Sequence, residues 1–433
     1  LIRSSARCLL PALLLAAAAA PAFRPAAAHA AGPGQAAAYL LRADRLFDGR
    51  ETRAGGIEVL VRDGKIEALG ARVDAPPGTA RIDLAGATLT PGLIDAHTHL
   101  TYSWDDTTHA PDFVRAYIGF PAVVAFEAAR NARRTLEAGF TTVRDLGCSD
   151  YLDVALSQAI ARGLTEGPRI VTSGPVYPSG GGGRTDIRWP PDGTVGSAPE
   201  MAEMVRRHLG QGCDWVKIFG TSGTWDDTTG APYFTSDELH AAVEAAHPRG
   251  HWVAAHAMGL EGARRAVAAG VRSIEHGSRL DAALAGEMAR KHVYLVPTLY
   301  HLEWYANHGK ALGYSEGYGD RLEALEREQF ASLALARRAG VAIGCGSDAV
   351  YSMHGENGME LVWLVKAGFT PTEALRAATL VNAELLGLEK VIGRIAPGYA
   401  ADLAAFDGDP AMDITAVMRP VFVMRGGAVV RRP

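Results

Sequence analysis

Short apolar runs and alanine-rich amphipathic stretches alternate eight times between residues 91 and 386. The runs fall at 91–97, 141–145, 169–172, 214–219, 251–256, 271–275, 292–296 and 341–347. The helical stretches fall at 121–138, 150–162, 198–210, 235–248, 259–268, 280–290, 320–339 and 371–386. A strand that is apolar along both faces must be covered on both, and a crossover helix makes its neighbours parallel. Eight such units predict an α/β fold of the (β/α)8 TIM-barrel type. The competing arrangement, a doubly wound sheet, usually carries a phosphate or dinucleotide loop. Gly180-Gly181-Gly182-Gly183 lacks the G-x-G-x-x-G spacing such a loop needs.

The flanks have a different texture. Residues 38–90 read as short strands at 39–42, 56–62, 65–69 and 80–83, turning at Asp63-Gly64. The far end repeats the pattern at 402–407, 414–424 and 428–431, with turns at Asp407-Gly408 and Gly426-Gly427. Two such flanks about 300 residues apart predict one small β-domain built from both chain ends. The expected division is 31–90 and 393–433 for that domain and 91–392 for the barrel.

Residues 1–30 read as a secretory leader. Arg3 and Arg7 precede a Leu- and Ala-rich run, and Ala28-His29-Ala30 fits a small-x-small cleavage site. The apolar stretch is short for a membrane span. The expectation is export, to the periplasm or the medium, with the mature chain starting near Ala31 and not inserted in a membrane. The formal net charge of −5 gives no basic footprint for nucleic acid. Beyond the leader only Cys148, Cys213 and Cys345 remain, too few for a disulfide scaffold, and each sits in an apolar context that predicts a buried free thiol.

Chemistry enters at the strand ends, which in a barrel converge on one face. The first strand runs into His97-Thr98-His99. Two residues apart on a strand, both imidazoles share a face and can meet one metal ion. The fourth strand carries Lys217 inside Trp215-Val216-Lys217-Ile218-Phe219, the fifth ends at His256, the sixth at His276 and the eighth at Asp348. A buried ammonium is costly. The cost falls if the Lys217 amine is carboxylated by CO2, because the carbamate then offers one oxygen to each of two cations. On this reading His97, His99 and Asp348 hold one divalent ion and His256 and His276 the other. The pair lowers the pKa of a shared water, and Asp348 takes up and returns its proton. Taken singly, each residue has a plainer role: core packing for a histidine, snorkelling for Lys217, helix capping for Asp348. Their common placement in barrel order argues against six separate coincidences.

At these residues the chain resembles the amidohydrolase superfamily, in particular its imidazolonepropionase-like and prolidase-like members. The segments that carry the resemblance are Pro91 to His99, Val216-Lys217-Ile218, Ala255-His256-Ala257, Ile274-Glu275-His276-Gly277 and Gly346-Ser347-Asp348-Ala349. His354-Gly355-Glu356-Asn357, Gly368 to Leu375 and Gly393 to Leu403 extend it. The resemblance implies a barrel carrying a β-sandwich made from both chain ends. It implies two divalent metal ions, zinc first, although nitrogen and oxygen ligands also accept manganese or cobalt. It makes Lys217 the carboxylated bridge, His97 and His99 ligands of the more buried ion, His256 and His276 of the more exposed one, and Asp348 the general acid/base.

The resemblance also implies a small-molecule amide substrate: N-acyl amino acids, dipeptides as in prolidases and carboxypeptidases, or ochratoxin-type aryl amides. Such enzymes often carry Gly-Gly-His-Gly after the third strand, where the histidine helps read a substrate carboxylate. Here the stretch is Ser179-Gly180-Gly181-Gly182-Gly183. Arg184, Arg188, Tyr233, Tyr300 or His301 are the candidates to replace it, and an aryl amide without a free carboxylate becomes an alternative. Tyr102 and Trp104 in the loop after the first strand, Trp225 after the fourth, and His354 complete the substrate-binding candidates. Aromatic loops of this kind suit a bulky acyl group; homo-oligomer contacts through the same loops are the competing reading. Two other functions stay open: hydrolysis of cyclic amides, lactones or organophosphate esters by the same ligands, and a non-catalytic binding protein on a dead barrel. Lys217 favours the two-metal hydrolase over a one-metal deaminase.

Overall fold

The computed structural model describes residues 38–103, 120–176, 195–223 and 227–433. The leader expected at residues 1–30 lies outside them. Both flanks join in one seven-stranded sheet of order β14-β13-β12-β4-β1-β2-β3. Its N-terminal members are β1 (Ala38–Phe47), β2 (Thr52–Arg62), β3 (Lys65–Gly70) and β4 (Ala80–Pro91). Its C-terminal members are β12 (Leu403–Asp407), β13 (Pro420–Arg425) and β14 (Ala428–Arg431). The ends meet where β12 runs antiparallel to β4, Leu403 opposite Pro91 and Asp407 opposite Ala87. Leu41, Val59, Leu89, Leu403, Ala405 and Phe422 are fully buried in the core of this sheet. Residues 414–418 depart from the expected strand. They form a 3-10 turn because the Asp413 carboxylate caps the backbone N–H of Thr415.

β4 passes through Gly92 directly into β5 (Leu93–Thr98). A Cβ at Gly92 would fall 2.1 Å from Thr141 Oγ1, so only glycine lets the chain cross there. β5, β6 (Phe140–Asp145) and β7 (Arg169–Val171) form one parallel sheet. β8 (Trp215–Phe219), β9 (Trp252–Ala257), β10 (Ser273–His276) and β11 (Tyr294–Val296) form a second. The two arcs touch at both margins. Trp215 N–H donates to Thr172 O at 2.9 Å on one side. On the other, single parallel bridges tie Leu295 to Ile343 and Thr98 to Ala349. Among the described residues no continuous ladder runs around all the strands.

The ladder is interrupted between β7 and β8 and again at the expected eighth strand, 341–347, which is tied to its neighbours by isolated backbone bonds, among them Leu295 N–H to Ala342 O at 3.0 Å and Ala96 N–H to Cys345 O at 2.9 Å. Asn382 takes over one rung: its Nδ2 donates to Ile94 O and Cys345 O at 2.7 Å and its Oδ1 accepts from Cys345 N–H, while Ala96 N–H still donates to Cys345 O and Asp348 N–H to His97 O. The helices follow the predicted positions, as in Ala198–Gln211, whose buried Met201, Met204, Val205 and His208 mark one face at helical spacing. The expected helix 371–386 is present as a continuous helical run over residues 371–385, with a π segment, Ala377–Val381, between Pro371–Arg376 and Asn382–Leu385. Two further helices, Leu299–His308 and Met359–Lys366, were not anticipated. Cys148, Cys213 and Cys345 are free and buried, as expected. Among the described residues no helix is long and apolar enough to cross a membrane.

Candidate metal centre

His97 lies near the end of β5 and His99 just beyond it, Lys217 sits in the middle of β8, His256 is the penultimate residue of β9 and His276 the last of β10. Asp348 follows the segment bridged to β5 and β11. All six side chains meet in one place. Nε2 of His99 lies 3.3 Å and Nε2 of His97 3.5 Å from Asp348 Oδ1. Lys217 Nζ lies 3.3 Å from His97 Nε2. The ring centroids of His97 and His276 are 5.2 Å apart, and those of His256 and His276 4.4 Å. One ligand atom each from His97, His99 and Asp348 fits within 4.8 Å, a spacing that suits a metal ion.

The backbone bends to achieve this. Successive strand residues point to opposite faces, so His276 would normally turn away from Glu275. A left-handed φ of 69° at His276 breaks that alternation, and Asp348 has a φ of 51°. Thr298 (φ 54°) places its hydroxyl 2.7 Å from His276 Nδ1. Non-glycine residues in this region are strained, and such strain gathers at functional sites. Asp95 holds the strand ends together. It accepts from the backbone N–H of His97 and Ser347 at 3.0 Å each, from the Ser347 hydroxyl, and from Asn357 Nδ2 at 2.8 Å.

Burial and charge prepare the donors. Burial lowers the His97 pKa to about 4 and the His256 pKa to about 3, helped by Lys217 in both cases, and pushes His276 well down. These rings are therefore neutral at pH 7, with a lone pair available to a metal. Burial opposes ionisation of Asp348, but His301, His97 and His99 outweigh it and hold its carboxyl well below the ordinary range. Burial also brings Lys217 down to about 8, against the pull of Glu275 and Asp348. His256 Nε2 is buried with no hydrogen-bond partner. An orphaned imidazole nitrogen beside three convergent donors fits a divalent cation.

The substrate candidates divide. Tyr102 stacks flat on His99 with centroids 4.7 Å apart. His301 Nδ1 lies 3.3 Å from Asp348 Oδ2 and 2.9 Å from its backbone oxygen, so it adjoins the acid rather than a distant rim. Tyr233 meets Phe219 edge-on, and Phe219 meets His256. The Tyr300 hydroxyl donates to Glu356 at 2.8 Å. His354 is buried beside the candidate ligand His99 and Tyr102, and it also lines a cavity of about 570 Å³ with Arg134, Gly358 and Val417. Trp104, Arg184, Arg188 and Trp225 lie outside the described residues. The sequence reading assigned no role to Glu275, Arg144 or Asp95. All three are charged residues within apolar strands, the signal that singled out Lys217.

Residues 88–430 match the Amidohydrolase family. The chain belongs to that family. This amidohydrolase is 28% identical to the ochratoxinase of Aspergillus niger over 93% of this chain and 88% of that one. It is 26% identical to the imidazolonepropionase of Ralstonia nicotianae over 85% and 90%. Among solved structures it resembles a Xaa-Pro dipeptidase with methionine bound in the active site (31% identity, TM-score 0.82, 90% of this chain and 99% of that one). It resembles equally a prolidase complexed with N-methylphosphonate-L-proline (29% identity, TM-score 0.82, 92% and 100%). The amidohydrolase is thus a hydrolase by family.

Proposed function

We propose that this amidohydrolase cleaves the amide or peptide bond of N-acyl amino acids, dipeptides or aryl amides, with two divalent cations held by His97, His99, Lys217, His256, His276 and Asp348. The convergence of the His97, His99 and Asp348 donor atoms carries the reading. When bound, the cations supply Lewis acidity to the scissile carbonyl and bring a water within reach of ionisation at neutral pH. The protein does the rest. Asp348, ionised at neutral pH, accepts the proton of the attacking water at Oδ and returns it to the departing amine. His301, hydrogen-bonded to the Asp348 backbone oxygen, keeps that carboxylate in place.

Lys217, with a pKa of about 8, is partly neutral under mildly basic conditions. Its nitrogen lone pair attacks the carbon of CO2, an N–C bond forms and one proton leaves to solvent. The resulting carbamate would put an anion able to hold two cations where a buried ammonium would be costly. Tyr102, Tyr233 and Tyr300 furnish flat apolar walls with polar tips, suited to an aromatic or bulky acyl group. The same reading closes the two strand arcs into a (β/α)8 barrel through segment 341–347, with the two-ended sheet as a smaller β-sandwich domain. It also places the mature enzyme outside the cytoplasm, cleaved from its leader near Ala31.

The test is zinc-loaded mature protein against N-acyl amino acids, each paired with its C-terminal amide or decarboxylated analogue, with product masses recorded. Cleavage of the free acids alone identifies a carboxypeptidase-like enzyme. Equal cleavage of the uncharged partners identifies a general aryl-amide hydrolase. Turnover confined to cyclic amides or lactones would overturn the proposal.

A further inference from the structure

Beneath the metal ligands lies a charged group that the proposed chemistry does not use. Glu275 and Arg144 are both fully buried, and their ion pair closes at 2.8 Å between Arg144 Nη2 and Glu275 Oε1. Breaking such a pair is costly, yet replacing both members by well-packed apolar residues is often neutral or stabilising. Stability alone therefore gives no reason for a glutamate and an arginine here.

The rest of the geometry supplies one. Glu275 and Ser273, two residues apart on β10, share a face. Glu275 Oε1 accepts from both Arg144 and the Ser273 hydroxyl. Arg144 Nη1 donates to Ser273 Oγ at 3.1 Å, its Nε to Ala96 O at 2.6 Å, and its guanidinium lies 4.5 Å over the Trp215 ring. Arg144 thus reaches from β6 to β5, β8 and β10 and leaves Glu275 one orientation. The other carboxylate oxygen, Oε2, lies 2.9 Å from His97 Nδ1. A carboxylate paired with a guanidinium carries no proton, so His97 must donate from Nδ1. Its lone pair then sits on Nε2, the atom that faces Lys217 Nζ and Asp348 Oδ1.

We propose that Glu275, locked by Arg144 and Ser273, is the positioning residue that fixes the His97 tautomer and so sets the affinity of this centre for its cation. The proposal rests on the metal-dependent reading above for its affinity half only; the tautomer half stands on the protein alone. It has a specific corollary. In Glu275→Gln the amide is isosteric, but the donors Arg144 and Ser273 attract its oxygen. The NH2 group is then left facing His97 Nδ1. An NH2 beside Nδ1 demands the opposite tautomer, with the proton on Nε2, where it blocks a ligand.

The experiment uses full-length mature protein labelled with 15N-histidine. Long-range 1H–15N correlation spectra of the metal-free form, assigned with His97→Gln, report the tautomer, and chelator competition reports the zinc affinity. In wild type His97 carries its proton on Nδ1. Glu275→Gln moves it to Nε2 and weakens zinc binding by about 10–100-fold, the usual range for loss of an outer-shell partner. Adding Arg144→Met frees the amide oxygen to return to His97, restoring the Nδ1 proton and much of the affinity, which a merely structural role would not do. A wild-type His97 protonated on Nε2, or a folded Glu275→Gln with unchanged tautomer and zinc affinity, would overturn the proposal. Should Glu275→Gln not fold, the wild-type spectrum still decides. Should wild type bind no zinc, the functional reading fails while the spectra still judge Glu275.

Discussion

On the proposed reading Asp348 both holds a cation and carries a proton, and substitution separates the two. Asparagine keeps an oxygen donor but cannot accept the proton. Asp348→Asn should retain bound metal, measured by elemental analysis, while kcat falls by about 10²–10⁴-fold, the range of a lost general acid or base. Equal loss of both would make it a ligand only. Lys217→Ala should remove the bridge, leaving fewer than two tightly bound ions and little turnover; two retained ions at normal rates would sink the binuclear reading. Lys217 was legible in the sequence because a lysine inside an apolar strand needs a reason. Arg144, inside Thr141-Thr142-Val143-Arg144-Asp145, meets the same criterion. It stayed unassigned because its partner Glu275 lies 131 positions away and no local pattern links them.

Among the elements, strands and most helices lie close to their predicted positions, since apolar runs and 3.6-residue periodicity are local signals. The helix Leu299–His308 gave no such signal. It begins after Thr298 in a left-handed conformation with no side-chain cap. Its first amides, Leu299 and Tyr300, are instead satisfied by the buried carboxylate of Glu360, 61 and 60 positions downstream. A start fixed by a tertiary partner cannot be read from neighbours. The segment 341–347 was readable as apolar, but the one rung that the Asn382 amide takes over, between Cys345 N–H and Ile94 O, was not. That segment also lies hard against β5. A Cβ at Gly346 would fall 2.4 Å from Val296 Cγ1 and 2.8 Å from His97 Cβ. Gly346→Ala should therefore displace His97, weakening zinc binding and lowering the melting temperature of the metal-free protein. An alanine variant with wild-type zinc affinity would show that the strand end tolerates displacement.

For the molecule as a whole, buried neutral histidines tie stability to pH. His208 sits outside the metal centre, its Nε2 donating to Pro175 O at 2.7 Å, and burial lowers its pKa to about 4. Between the ordinary value near 6.5 and about 4, the unfolded chain takes up a proton at this position and the folded chain does not, so stability falls as pH falls. The His208 share is about 3 kcal/mol across that window. Metal-free protein titrated from pH 7 to 4 should lose stability, and His208→Gln should flatten the profile; parallel curves would refute the assignment. The architecture was legible at this scale because both flanks share short strands and tight turns. Their pairing was legible only as an inference from likeness.

That pairing has a consequence for how the protein is made. Pro91 on β4 finds its partner Leu403 on β12, about 310 residues later. At roughly 5–20 residues per second, a ribosome needs about 15–60 s to deliver that strand. Until then one margin of the N-terminal sheet offers open backbone donors and acceptors to any extended chain nearby. Newborn copies are thus exposed to mutual trapping during synthesis, and the last forty residues act as the clasp that ends this hazard.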